Sequence, residues 1–271
     1  MPVQGEFFQN PGGSSEFYDY TIDQSVRLDR SHADRLYRTP SSAGNRRTLT
    51  ISFWLKRAEI SQFQTAIIQS DDPSTVNRTS SINFLTEDNG TGNTGVISFG
   101  LNGGLAAVAY SEGKYRNVSA WIHIVHRIDT TQSTNTDRTR TYINGTQITY
   151  GNNPGTTTYP TQNYETGFCS TSQIVVASNV NANSDYPLAG YLAEVILADG
   201  TSYAPTQFGE SKNGVWIPKD PSGTSFGTTG FHLKFQNASA LGDDSSGNNN
   251  DFTTAMGADH QMLDSPTFGG D

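Results

Sequence analysis

The amino-acid sequence predicts an all-β protein, and three observations carry that reading. Polar and apolar residues alternate over many short runs, while no sustained i, i+3, i+4 apolar pattern occurs. The 27 glycines, with abundant Ser, Thr and Asn, supply turns between such strands. Apolar residues reach only 34% but aromatics reach 11%, so large rings must close the core. About a dozen short strands without helical interludes fit a sandwich, a barrel or a propeller. A propeller would repeat itself about every 40 to 50 residues, and no such self-similarity is visible.

Residues 1–20 are rich in Gly, Ser and Asn and carry Phe7, Phe8, Phe17 and Tyr18. They read as an arm whose rings dock on a neighbour. "SVRLD" starts the alternation, and "RTPSSAGNRR" (38–47) is a loop by its Pro, Gly and Asn. "TLTISFWLKR" (48–57) is the clearest strand, with Leu49, Ile51, Phe53 and Leu55 on one face and Thr50, Ser52 and Trp54 on the other. "TAIIQ", "SINFL", "VISFGL", "LAAVAY" and "WIHIVHRID" follow as strands. In "TYINGTQITY" (141–150), Asn144-Gly145 between alternating residues predicts a hairpin with a type I′ turn. After a long polar stretch (151–172) come "QIVVAS", "LAGYLAEVILADG" and "GFHLKFQ" as strands. "APTQFGE" is one helical turn, and "NGVWIPK" an extended segment laid across the sandwich. The division expected is an arm (1–20), a β-sandwich (21–236) and an Asp/Asn/Gly-rich C-terminal segment (237–271) that reads as a linker.

The net charge of −9 disfavours nucleic-acid binding. Arg46-Arg47 and Lys56-Arg57 read as solvated charges at strand ends. Cys169 is the only cysteine, so no intrachain disulfide can form, and it reads as a small half-buried residue. The N-terminus lacks a basic, then apolar, leader pattern, and no apolar run reaches membrane-spanning length. The expectation is folding in a cytosol, no membrane insertion, and arrival at any outside surface without classical secretion. Asn144-Gly145-Thr146 is then a turn rather than a glycosylation site.

Four phrases stand in a telling order: "TLTISFWLKR", "WIHIVHRID", "TYINGTQI" and "LAGYLAEVILADGTSYAPTQFGE". This order resembles the laminin-G-like, concanavalin A-like lectin/glucanase superfamily, which implies a jelly-roll sandwich of two curved antiparallel sheets. "LYRTPSSAGNRRTLTISFWLKR", "NGVWIPK" and "LGDDSSGNNNDF…DSPT" are similar to LamG-like modules of bacteriophage virion proteins, in tail fibres, appendages or capsid surfaces. The resemblance covers residues from about 15 to 268. It implies a virion-surface component made in the host cytoplasm, embedded among other virion subunits as a homo-oligomer or in a lattice. Such a module would bind cell-surface polysaccharide, or serve only to decorate or scaffold the particle.

Glucanases of that superfamily carry Glu-x-Asp-x-Glu on one strand, and this chain does not; Glu194 stands alone in "YLAEVIL" and reads as a structural hydrogen-bonding residue. Without a Gly-x-Ser-x-Gly elbow either, no enzyme is expected. "DDSSGNNND" places Asp243, Asp244, Asn248 and Asp251 around Gly247. These oxygens suit Ca²⁺, which the resemblance also favours, or else an Asx-turn loop bonded to its own backbone. Asp129 is a second calcium candidate. His123 and His126 are three apart on a strand and so face opposite sides, which does not suit zinc; His123 reads as a packing or hydrogen-bonding residue. Sugar sites combine aromatic rings with amides and hydroxyls. Tyr150, Tyr159, Asn163 and Tyr164, in or beside the polar loop 152–168, are the leading set, with Tyr110, Tyr115 and Tyr186 as further loop tyrosines. The alternative is that these tyrosines cap the sandwich or touch other subunits. Trp54, Trp121 and Trp216 read as packing residues.

Overall fold

A computed structural model describes residues 17–70, 79–86, 94–101, 107–152, 154–179, 186–256 and 259–267. Its strands in chain order begin with β1 (Ser25–Leu28), β2 (Arg35–Arg38), β3 (Thr48–Arg57), β4 (Gln64–Ser70), β5 (Thr79–Phe84) and β6 (Ile97–Leu101). Next come β7 (Ala107–Ser111), β8 (Ile122–Asp129), β9 (Thr139–Ile143), β10 (Thr146–Gln147), β11 (Tyr150–Gly151) and β12 (Ile174–Val176). The last six are β13 (Gly190–Asp199), β14 (Gly209–Lys212), β15 (Val215–Pro218), β16 (Phe231–Leu233), β17 (Thr253–Ala255) and β18 (Gln261–Met262). A 3-10 turn at Pro205–Gln207 matches the predicted helical turn.

Two eight-stranded antiparallel sheets form the sandwich. The first runs β10-β9-β8-β3-β13-β1-β18, with β16 also paired to β13; the second runs β11-β7-β6-β5-β4-β12-β2-β17. The strand alternation read from the sequence decides what lies between them. Leu49, Ile51, Phe53 and Leu55 of β3 meet Ile67, Ile82, Phe84, Ile97 and Phe99 of the second sheet in one continuous core. The hairpin in "TYINGTQITY" joins β9 to β10, with Asn144 at φ 48° and Gly145 at φ 76°, the left-handed pair that a type I′ turn needs. A Cβ on Gly145 would sit 2.3 Å from the Trp216 ring, so the turn is also a seat for that indole.

The first sheet is covered on its outer face as well. Trp54, Ala193 and Ile22 pack with Tyr20, Trp121 and Trp216, and Val125, Ile196 and Phe208 pack with Tyr142, Tyr203 and Phe226. "NGVWIPK" supplies this cover as β15 of the β14–β15 hairpin. Thr50, Ser52 and Trp54 are therefore buried although they face away from the main core.

Three expectations need correction. The segment 237–271 is no linker through its described part: β17 pairs with β2, β18 pairs with β1, and Leu241 and Phe252 enter the main core. Arg57 is not solvated. It is 3% exposed, stacks 4.8 Å from the Phe84 centroid, and burial pulls its pKa down to about 10 against the opposing pull of Glu59. Cys169 is fully rather than half buried, and burial, reinforced by Asp199, raises its thiol pKa. Of the arm, Phe7 and Phe8 lie outside the described residues. Phe17 and Tyr18 make an edge-to-face contact, and the Lys212 ammonium lies 6.0 Å over the Phe17 ring.

Candidate functional site

On the outer face of the second sheet the strands β4 to β7 form the floor of a groove of about 540 Å³, a floor that is largely buried, with Thr65, Ile68, Ser81 and Ser98 each at most 8% exposed. Strand register sets two rows of side chains across this floor. One row runs Thr65, Asn83, Ser98, Tyr110 and is polar with a ring at its end. The other runs Ile68, Ser81, Gly100, Val108, with an aliphatic side chain at each end and a hydroxyl and a bare glycine between them. The period-two rule that buries Ile82, Phe84, Ile97 and Phe99 inside is what turns these neighbours outward.

The polar row is fixed by its own bonds. The Thr65 hydroxyl donates to Asn83 Oδ1 at 3.0 Å, and Asn83 Nδ2 donates to Ser81 Oγ at 2.9 Å. At the β4 end the rings of Phe63 and Tyr186 meet edge to face at 4.8 Å, and Tyr186 is 46% exposed. The Thr65 N–H donates to the Tyr186 carbonyl and ties that loop to β4. At the β7 end Pro154 joins Tyr110 in the lining, where the Val108 and Thr158 backbones bridge. Among the described residues lining the groove, none is an acid or a base other than the two tyrosines.

The expected sugar set falls elsewhere. Tyr150 is half-buried at the end of the core, beside Phe99 and Tyr159, and its hydroxyl shares a 2.7 Å bond with Thr141. Thr141 in turn bonds His126 Nδ1 at 2.8 Å. Burial raises the Tyr150 pKa, as expected for a ring that packs rather than presents itself. Tyr164 packs on the main core, and the exposed Asn163, at φ 62°, donates its N–H to the Thr130 carbonyl in a turn. These four side chains do not line the groove; of the loop 152–168, Pro154 does. Tyr110 and Tyr186, named in the sequence only as further tyrosines, are the ones the fold places there.

The calcium candidates have other work. Asp244 accepts from the backbone N–H of His232, Ser246 and Asn250 and from the Ser246 hydroxyl. Asp251 accepts from Asp244 N–H, Asp243 accepts from Asn237, and Asn248 Nδ2 donates to the carbonyls of Gly227 and Gly230. Arg38 supplies the positive charge: it bonds Asn250 Oδ1 and Thr229 O, and Asp244 and Asp251 pull its pKa upward against the larger effect of burial. The Asp244 oxygens are already saturated, so the residues do not fit a calcium ion; they make the Asx-turn loop. Asp129 likewise bonds Thr131 and Gln132. Its burial favours the neutral form, but those bonds and Arg127 outweigh it and lower the pKa. Among the described residues, no three His, Cys, Asp or Glu side chains gather where they could hold a metal ion.

Two buried polar pairs resemble catalytic parts. Ser52 Oγ lies 2.8 Å from His123 Nε2, but Trp216 Nε1–H donates to His123 Nδ1 at 2.9 Å. Nδ1 is thus the acceptor, and neutral His123 must donate from Nε2 to Ser52, the reverse of what a general base does. His123 is stacked on Trp54 and kept neutral by burial, its pKa lowered to about 3. Glu194 sits in a β-bulge of β13 at φ 49° and bonds His232 Nε2. Burial, then Glu194, raises the Tyr20 pKa, so Glu194 anchors the chain entering β1. The sequence missed Asp199. Its carboxylate accepts from Asn45 N–H, Thr228 N–H and both donors of Thr229, clamping two loops where Gly44 leaves room.

The fold and groove define a two-sheet lectin-type sandwich with one roofed and one grooved outer face. The family model described as the concanavalin A-like lectin/glucanases superfamily, of the laminin G type, matches residues 31–202, and the chain belongs to that family. Among solved structures it is similar to a candidate carbohydrate-binding protein from Bacteroides ovatus, with 11% identity and a TM-score of 0.58. That likeness covers 87% of this chain and 58% of the other. It is also similar to domain 4 of an extracellular arabinanase from Geobacillus stearothermophilus in complex with arabinotriose (18% identity, 73% and 81% coverage, TM-score 0.45). A third is domains LG4-5 of the mouse laminin alpha1 chain (8% identity, 79% and 48% coverage, TM-score 0.38). No curated protein matches the sequence.

Proposed function

We propose that the protein is a noncatalytic glycan-binding module whose site is the groove on β4–β7. One observation carries this reading: hydroxyl and amide groups lie beside aliphatic floor residues, with the exposed Tyr186 ring at one end and the half-buried Tyr110 ring at the other. Sugars offer the same two surfaces, hydroxyl edges and apolar ring faces. The Ser52–His123 tautomer and the single carboxylate of Glu194 support recognition without bond cleavage. The matched family points the same way, and so does the carbohydrate-binding character given to the similar Bacteroides ovatus protein.

The setting we propose is a bacteriophage virion, in a tail fibre or on the capsid surface, where many copies would strengthen individually weak contacts. It rests on the resemblance of "LYRTPSSAGNRRTLTISFWLKR", "NGVWIPK" and the 241–267 phrase to virion modules. Electron microscopy of particles labelled on this chain tests it; absence of label on the particle surface rejects it.

A second reading, decoration of the particle without sugar binding, is favoured by the exposed Phe17, which lies beside Lys212 of β14. Glycan-array binding followed by titration separates the two. Tyr110→Ala is expected to weaken binding about five- to tenfold, the worth of one stacked ring, with an unchanged far-UV spectrum. Unaltered affinity, or no glycan bound by the wild type, rejects the groove.

A further inference from the structure

We propose that Asn213 is a site of spontaneous deamidation and isoaspartate formation, and that Asn144, in the same kind of turn, is guarded against it. The proposal is independent of the glycan-binding reading.

Both asparagines precede glycine at the tip of a two-residue hairpin. Asn213 and Gly214 have φ 52° and 81°, close to the 48° and 76° of Asn144 and Gly145. A glycine after asparagine leaves its own nitrogen unshielded, because it has no Cβ. The same chemistry is therefore open to both pairs. The Gly nitrogen attacks Asn Cγ, its proton passes to the leaving amide nitrogen, and ammonia departs from a succinimide ring. Water then reopens the ring at either carbonyl. One opening yields Asp; the other yields isoaspartate, in which the chain runs on through Cβ and Cγ. Either product carries a negative charge where the amide had none.

The surroundings separate the two. Asn144 Oδ1 accepts from the His123 N–H at 2.8 Å, and the Asn144 N–H donates to the His123 carbonyl at 2.9 Å. Its carboxamide cannot swing onto the Gly145 nitrogen until the first bond breaks, and Gly145 is backed by the Trp216 indole. The Asn213 carboxamide has no hydrogen-bond partner among the described residues. Among those residues nothing lies within 4 Å of a Cβ built on Gly214, and Asn213 and Gly214 are both exposed. Their hairpin is a separate two-stranded sheet, whereas Asn144 turns at the edge of an eight-stranded one. The attack requires the turn to open, and a two-stranded tip opens more readily. The product bears on the roof of the first sheet. The Trp216 indole is seated so closely that a Cβ on Gly145 or Gly209 would come within 2.3 or 2.6 Å of it, and it donates to His123. Isoaspartate adds a chain carbon to the turn that sets the Ser211–Trp216 register, so the indole must shift.

Timed incubation of the full chain in warm, mildly alkaline buffer, followed by tandem mass spectrometry of each Asn-Gly peptide, tests this. The pairs Asn89-Gly90 and Asn102-Gly103 lie outside the described residues and are read separately. Expected is conversion at Asn213 at least about fivefold faster than at Asn144, the worth of the one hydrogen bond that must break first. Isoaspartate should be among the products. In concentrated urea the two rates should come within about twofold of each other, since the bond to His123 is then gone. Tryptophan fluorescence of the wild type should drift in step with conversion at Asn213. Asn213→Gly, which suits the same turn and has no carboxamide, should age without that drift. Asn144 converting as fast as Asn213 in the folded chain would overturn the proposal. So would a rate ratio that urea leaves unchanged, because sequence rather than fold would then set it. Conversion at Asn213 with steady fluorescence would overturn the effect on the roof alone.

Discussion

His123 and His126 show how one residue type divides its duties across a strand. They face opposite sides of β8, as the spacing predicts: His123 is pressed between Trp54 and Trp216, and His126 lies in the sandwich interior on Phe99. Burial lowers both pKa values to about 3, against roughly 6.5 in an unfolded chain. The unfolded state therefore binds more protons between those values. The stability these rings contribute is complete above about pH 6.5 and drains away as pH falls towards 3. Between about pH 6.5 and 5 the loss should be on the order of 1 to 2 kcal/mol per histidine. Urea unfolding at both pH values should show it, and His126→Gln should remove about half. An unchanged pH slope in that variant would mean that the ring is not held neutral. The sequence revealed the two faces of β8 because alternation alone sets them. It could not reveal that both were dry, since the residues covering His123 come from β15 and from the segment before β1.

At the scale of elements, the loop 243–251 illustrates why a ligand-like composition misleads. Asp, Asn and Gly in a turn serve a metal ion and an Asx-turn equally well, and only the donors around them decide. Here His232, Ser246, Asn250 and Arg38 decide. Asp244→Ala is expected to cost about 3 kcal/mol or more in chemical denaturation, because buried backbone N–H groups would lose their acceptor. A calcium chelator should leave the melting temperature of the wild type within about a degree. A chelator-induced fall of several degrees would restore the metal to this loop. The strands themselves were legible, from "TLTISFWLKR" to "GFHLKFQ", and so was the turn at Asn144-Gly145. The groove was not, although Tyr110 and Tyr186 were in view. A tyrosine beside a strand end looks the same whether its sheet face is open or capped, and Tyr150 and Tyr164 proved to lie on the packed side.

For the whole molecule, the two sheets differ in what lies on their outer faces. One sheet is roofed by the β14–β15 hairpin and the residues before β1, while the other carries the groove on β4–β7. The seam lies at β1 and β2, which take β18 and β17 as their outer partners. A chain stopped at residue 236 would lose both strands together with Leu241 and Phe252. It is expected to show no cooperative thermal unfolding and to bind a hydrophobic dye, whereas one stopped at 267 should melt like the full chain. A sharp transition in the shorter chain would show that the sandwich closes without its last strands.

That seam also sets a timetable for synthesis. Val26 and Leu36 lie in strands made early, yet the strands that shield them leave the ribosome more than two hundred residues later. During that interval β1 and β2 wait with open edges, and a crowd of nascent copies could pair through them. Slowing translation near the 3′ end of the message should therefore raise aggregation more than slowing it near the start.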